Sequence, residues 1–125
     1  MGPFLICMPG TRSFARDMGM CLRILGSGSA GNCAVLRTGE ATVLIDAGFS
    51  HRKLRQLLHE AGIAPESIDA VFLTHEHGDH AAGIEGLSKH PNIRVFANAA
   101  TARAVQARLS QRPAWNLFET GTRFQ

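Results

Sequence analysis

The chain has little cysteine, no long apolar run and no low-complexity segment, and each shortage narrows what it can be. No apolar stretch approaches the roughly 18 residues that a membrane-spanning helix needs, so no membrane role is expected. Cys7, Cys21 and Cys33 are odd in number and contain no Cys-x-x-Cys pair. That pattern argues against a disulfide framework and for a reducing, cytoplasmic setting, with Cys21 and Cys33 as small buried residues of strands. The apolar patch from Phe4 to Met8 lacks a preceding positive region and is followed by Arg12 and Arg16, so it is not a secretory signal. Ile6 stands where myristoylation requires serine or threonine. Residues 1–19 read as an N-terminal extension or a mis-assigned start without chemistry, because Met20 opens the first clear strand. Internal repeats are absent. The formal charge of +3 permits an anionic substrate without establishing one.

What is present is enough for one modest core. Hydrophobic residues make up 45% of the 125 positions, which is globular composition. Alternating or apolar runs predict strands over 21–25, 34–37, 41–45, 70–73, 93–96 and 115–119, with another beginning near Phe124. Ser50 is placed to cap a helix whose Leu54, Leu57, Leu58 and Ala61 follow i, i+3, i+4, i+7 spacing, ended by Gly62 and Pro65. A short helix is expected over 81–89, weakened by Gly83 and Gly86. A second is expected from Asn98 to about Leu109.

The densest chemistry follows the apolar run Ala70-Val71-Phe72-Leu73. Thr74-His75-Glu76-His77-Gly78-Asp79-His80 packs three of the six histidines and one aspartate behind a short strand. Imidazole nitrogen and carboxylate oxygen are the donors that zinc and similar divalent ions take. His75 and His77, two apart in extended chain, point to one side. Gly78 is expected to let the chain turn back, so that Asp79 and His80 serve a second, nearby metal. A solvated polar loop would explain one histidine after a strand. It does not explain His-x-His-x-Asp-His.

Gly26-Ser27-Gly28-Ser29-Ala30-Gly31 satisfies a dinucleotide-binding fingerprint, and Asp46 lies 20 residues after Gly26. That fingerprint requires a helix opening at the third glycine. Residues 32–46 hold strand, turn and strand instead, so the segment predicts a glycine turn, with Ser27, Ser29 and Asn32 able to line a cleft rim. Asp46 ends a buried strand, where an unpaired carboxylate is costly, and therefore needs hydrogen-bond partners or a cation. His51, His59 and His90 read as surface residues. Arg52, Lys53 and Arg55 form one cationic group, and Arg103, Arg108 and Arg112 another; solvated helix faces are the ordinary reading and phosphate contact the alternative.

The histidine segment, together with Leu25-Gly26-Ser27-Gly28-Ser29-Ala30-Gly31-Asn32 and Leu44-Ile45-Asp46-Ala47-Gly48, resembles the metallo-β-lactamase-fold hydrolases over residues 20–125, most closely their bacterial YycJ-type branch. The resemblance implies an α/β (α+β) fold: the first half of an αββα sandwich, a mixed sheet with helices on one face. It also implies a dinuclear site holding two divalent ions, zinc or manganese. His75 and His77 would serve one ion, Asp79 and His80 the other, with Asp79 also orienting the nucleophile and Asp46 supporting the loop. Glu76 is not expected to be a ligand. Histidine at 77, where di-iron oxygen-reducing members carry glutamate, favours hydrolysis. The family's further histidines and bridging aspartate have no counterpart here, since His90 is the last histidine and Asp79 the last aspartate. Residues 20–125 therefore look like the N-terminal part of a domain whose C-terminal half is absent. The implied substrate is nucleic acid, DNA in particular, with exonuclease action. The alternatives are a thioester or lactone hydrolase of the same fold, or a catalytically silent truncated fragment.

Overall fold

A computed structural model describes residues 4–7 and 19–125 of the chain. Seven strands lie side by side in sequence order: β1 Phe4–Cys7, β2 Cys21–Gly26, β3 Cys33–Arg37, β4 Thr42–Ile45, β5 Ala70–Phe72, β6 Arg94–Ala97 and β7 Ala114–Leu117. The sheet is mixed. β1 to β4 pair antiparallel, with short turns joining β2 to β3 and β3 to β4, and β4 to β7 pair parallel. Parallel neighbours need crossovers. These are supplied by α1 His51–Glu60, by two short helical turns, α2 Gly78–Ala81 and α3 Ile84–Leu87, and by α4 Ala99–Gln106.

The strand pleat explains the layering. Val35, Leu44, Val71 and Val95 face one side and are at most 2% exposed. Leu54 and Leu58 of α1, Ile84 and Leu87 of α3, and Ala102 and Val105 of α4 pack into the same cluster. Helices therefore cover one face of a mixed sheet, as the sequence predicted. Leu36, Val43, Ile45, Phe72 and Phe96 point the other way and are only half-buried. On that second face Phe72 and Phe96 stack at 4.6 Å between ring centroids, and Phe124 lies over both at 6.0 and 5.6 Å. No strand forms at Phe124, against expectation, because its backbone has no sheet partner and its ring is held by stacking instead.

Other departures are local. Ser50 does cap α1, its hydroxyl accepting from the Lys53 N–H, and Asn98 caps α4 in the same way through the Thr101 N–H. The helix expected over 81–89 is instead two single turns that begin three residues earlier. α4 ends at Gln106, short of Leu109. Phe4–Cys7, within the segment set aside as an extension, adds an edge strand to β2. The remainder of residues 1–18 lies outside the described residues. Cys21 is disulfide-bonded, contrary to the expectation of a simple buried thiol, so cysteine usage no longer argues for a reducing compartment. Cys33 is free and buried; desolvation first, and the nearby Asp46 carboxylate second, push its thiol up to about 12. No helix among the described residues is long and apolar enough to cross a membrane.

Candidate metal centre

Parallel strands bring their C-terminal ends to one edge, which is where open α/β sheets place their chemistry. Asp46 follows β4 directly, and the histidine loop follows β5. β3 runs the opposite way, so its first residues, beginning after Asn32, lie at the same edge. The glycine segment between β2 and β3 forms a turn with no helix, Gly28 adopting φ 127° and Gly31 φ 154°, values that side-chain-bearing residues rarely take. The dinucleotide fingerprint is thereby excluded.

Three loops are laced together by backbone bonds. The Asn32 N–H donates to the Asp79 carbonyl at 2.8 Å, the Ala47 N–H to the His80 carbonyl at 2.8 Å, and the Gly48 N–H to the Asn32 carbonyl at 2.9 Å. Gly48 has no space for a side chain, since a Cβ there would stand 1.7 Å from the Asp79 carbonyl oxygen. The sequence did not signal that requirement beyond the Asp46-Ala47-Gly48 motif itself.

Asp46 is the hub. It is 5% exposed and takes φ 60°, a conformation that aspartate tolerates better than most residues. Its Oδ1 accepts the Thr74 N–H at 2.8 Å. Its Oδ2 accepts the Thr74 hydroxyl at 2.7 Å and His80 Nδ1 at 2.7 Å. An ionised carboxylate only accepts, so His80 must carry its proton on Nδ1, leaving the Nε2 lone pair outward. The Thr74 hydroxyl has spent its proton on Asp46. Its 2.9 Å contact with His75 Nδ1 then requires that nitrogen to donate as well. One carboxylate thus sets the tautomer of two imidazoles, directly for His80 and through Thr74 for His75. Each then has an unprotonated Nε2. The sequence pointed to Asp46 but missed Thr74.

The rings gather as the motif predicted. His75 lies 4.7 Å from His77 and 3.9 Å from His80, centroid to centroid. Asp79 Oδ2 is 3.6 Å from His80 Nε2. The chain turns at Gly78: His77 stands at the N-cap position of α2 without a side-chain cap bond, and Gly78 starts a right-handed helical turn. Asn32 closes the rim. Its Oδ1 accepts the Gly28 N–H at 2.9 Å, which fixes the amide orientation and sends Nδ2 toward Asp79 Oδ2 at 3.3 Å and His80 Nε2 at 3.2 Å. Ser27 and Ser29 are exposed and make no such contact. Glu76 contributes its backbone carbonyl, which accepts from the Arg108 guanidinium.

The surface histidines divide. His59 is exposed, but His51 is half-buried: its ring packs over Gly86 and its Nδ1 is buried without a partner. Desolvation first, then the charges of Arg55, Lys89 and His90, hold its pKa below the ordinary 6.5.

A divalent ion suits this donor set chemically, with three imidazoles and a carboxylate at one strand end. The set is not closed. Among the described residues, no group of three or more His, Cys, Asp or Glu side chains is arranged to hold an ion.

A mixed sheet with helices on one face and this loop at its edge is the arrangement of the metallo-β-lactamase fold. A model of the metallo-beta-lactamase superfamily matches residues 26–122, and the chain belongs to that superfamily. It is 39% identical over 90 residues to the exodeoxyribonuclease WalJ of Streptococcus pneumoniae, covering 72% of this chain and 34% of that one. It is 34% identical over 89 residues to the exodeoxyribonuclease YycJ of Bacillus anthracis, covering 71% and 34%. Among solved structures, the metallo-beta-lactamase fold protein YhfI of Bacillus subtilis superposes with a TM-score of 0.68 at 19% identity, over 85% of this chain and 48% of that one. The chain spans about a third of the length of the two exodeoxyribonucleases.

Proposed function

We propose that the complete protein is a metal-dependent phosphodiesterase that degrades DNA as an exonuclease, and that residues 20–125 supply the N-terminal part of its catalytic domain. The observation that carries the metal chemistry is the chain His80–Asp46–Thr74–His75, which leaves both Nε2 atoms unprotonated beside His77 and Asp79, that of His80 accepting from the Asn32 amide. The nucleic-acid substrate is supported by the likeness to two exodeoxyribonucleases. His75 and His77 would help to hold one ion, and Asp79 and His80 a second, zinc or manganese. Bound divalent ions supply Lewis acidity and lower the pKa of water. The protein's own part is to keep the imidazoles in the ligating tautomer, to hold Asp79 through Asn32, and to let the Asp79 carboxylate orient the attacking water. A catalytic zinc takes three protein ligands, so four groups do not complete two ions and the remaining ligands would come from further chain. The 125 residues alone are expected to bind metal weakly and turn over nothing.

The full-length protein with manganese or zinc should degrade linear DNA from its ends, and His77→Ala should abolish this while leaving the fold intact. Hydrolysis of thioesters or lactones, with no action on DNA, would transfer the assignment to that class. Absence of all three activities would leave a silent protein.

A further inference from the structure

Away from the histidine loop, α4 and β7 enclose a cleft of about 420 Å³. Its lining includes the apolar Ala102, Trp115 and Leu117 together with Arg103, Gln106 and Arg112. Arg103 and Arg112 are exposed, and their guanidinium groups form no ion pair or hydrogen bond among the described residues. Two guanidinium groups therefore flank an apolar hollow with no anion of the protein's own to neutralise them. Trp115 is half-buried, and its indole N–H donates to Gln106 Oε1 at 2.8 Å, which holds the ring in place. Two residues beyond α4, Arg108 donates to the Glu76 carbonyl, tying this end of the helix to the histidine loop.

We propose that this cleft binds one nucleotide of a single DNA strand, the base against Trp115 and the neighbouring phosphates on Arg103 and Arg112. The inference rests on the nucleic-acid reading above and assigns it a strand-holding site. An aromatic face with adjacent cations is the combination that single strands use, because their bases are free to stack and their phosphates are regularly spaced. A free anion would engage the arginines and leave the indole unused. A duplex keeps its bases stacked on one another and could not offer one to Trp115. Arginine's planar fork suits phosphate oxygens.

The test is binding in EDTA, where no metal-dependent cleavage occurs. Trp115 is the one tryptophan of the 125 residues, so in the 125-residue chain its emission reports the cleft directly, and degradation is followed separately in the full-length protein. A fluorescein-labelled twelve-residue oligothymidylate should bind by anisotropy and quench Trp115 saturably. Arg103→Ala with Arg112→Ala should weaken binding and reduce the slope of log affinity against log salt by ~1.4, from about 0.7 per phosphate contact. Trp115→Leu should weaken binding by roughly tenfold with the salt slope unchanged. Binding without quenching, an unchanged salt slope in the double arginine variant, or equal quenching by duplex, thymidine monophosphate or inorganic phosphate would each overturn the proposal. Its failure is separable from that of the nuclease reading. DNA degradation that the arginine variant leaves untouched, without quenching, removes only the cleft. Quenching and salt effects as expected, in a protein that hydrolyses thioesters and spares DNA, remove only the nuclease.

Discussion

Replacing Asp46 by asparagine keeps the shape of the hub and removes one of its two acceptor oxygens. In the native loop, Oδ1 faces one donor and Oδ2 faces two. If the amide nitrogen takes the Oδ1 position, it opposes the Thr74 N–H. If it takes the Oδ2 position, His80 must move its proton to Nε2, where that N–H would meet the Asn32 amide, now 3.2 Å away, donor against donor. Either way one polar group at a buried site loses its partner, at about 1–3 kcal/mol. At roughly 4 °C per kcal/mol for a chain of this size, the metal-free melting temperature should fall by about 4–12 °C. Outer partners of metal-binding histidines contribute about 10–100-fold to metal affinity, so zinc binding should weaken by that factor. Thermal melts in EDTA and zinc competition against a chromophoric chelator measure the two effects separately. An Asp46→Asn variant with native melting temperature and native zinc affinity would refute the hub, and with it the tautomer assignment of both histidines.

Two further outcomes follow from packing and charge. Gly48→Ala should abolish folding or collapse the loop, because a Cβ 1.7 Å from the Asp79 carbonyl oxygen must displace backbone; circular dichroism and zinc binding read the result, and a native-like variant would contradict the close approach. His51 is held below its ordinary 6.5, chiefly by desolvation, so the unfolded chain takes up a proton that the folded one declines. Stability should therefore be full above pH 6.5 and fall as pH drops from 6.5 toward the folded value, and His51→Gln should flatten that part of a melting-temperature profile.

Much of the frame was legible in the sequence because it rests on local pattern. Leu54, Leu57 and Leu58 have one spacing that buries them together, and Ser50 has a hydroxyl at the one position that caps them. The runs 21–25 and 34–37 marked strands but not their faces, since Arg23, and not Leu22 or Ile24, lies on the helix side beside Val35. The clustering of His75, His77, Asp79 and His80 was equally local, since donor chemistry belongs to the residue and proximity to a span of six positions. The boundaries of the helical turns after the loop were less legible. Glycines at 78, 83 and 86 leave the local preference weak, and contacts such as the Gly83 N–H with the Ala47 carbonyl decide where each turn begins.

Only the tertiary structure could pair Asp46 with Thr74 and His80, because residues 28 and 34 positions apart meet through parallel strand ends, not through spacing. The same holds for Asn32 on Asp79, for Gly48 beneath the Asp79 carbonyl, and for the ring of His51 over Gly86. A histidine's type follows from sequence; which of its nitrogens bears the proton depends on a neighbour that the fold alone provides. Trp115 and the two arginines likewise come from a strand, a helix and the loop between them, and become one cleft only when β7 joins the sheet beside β6.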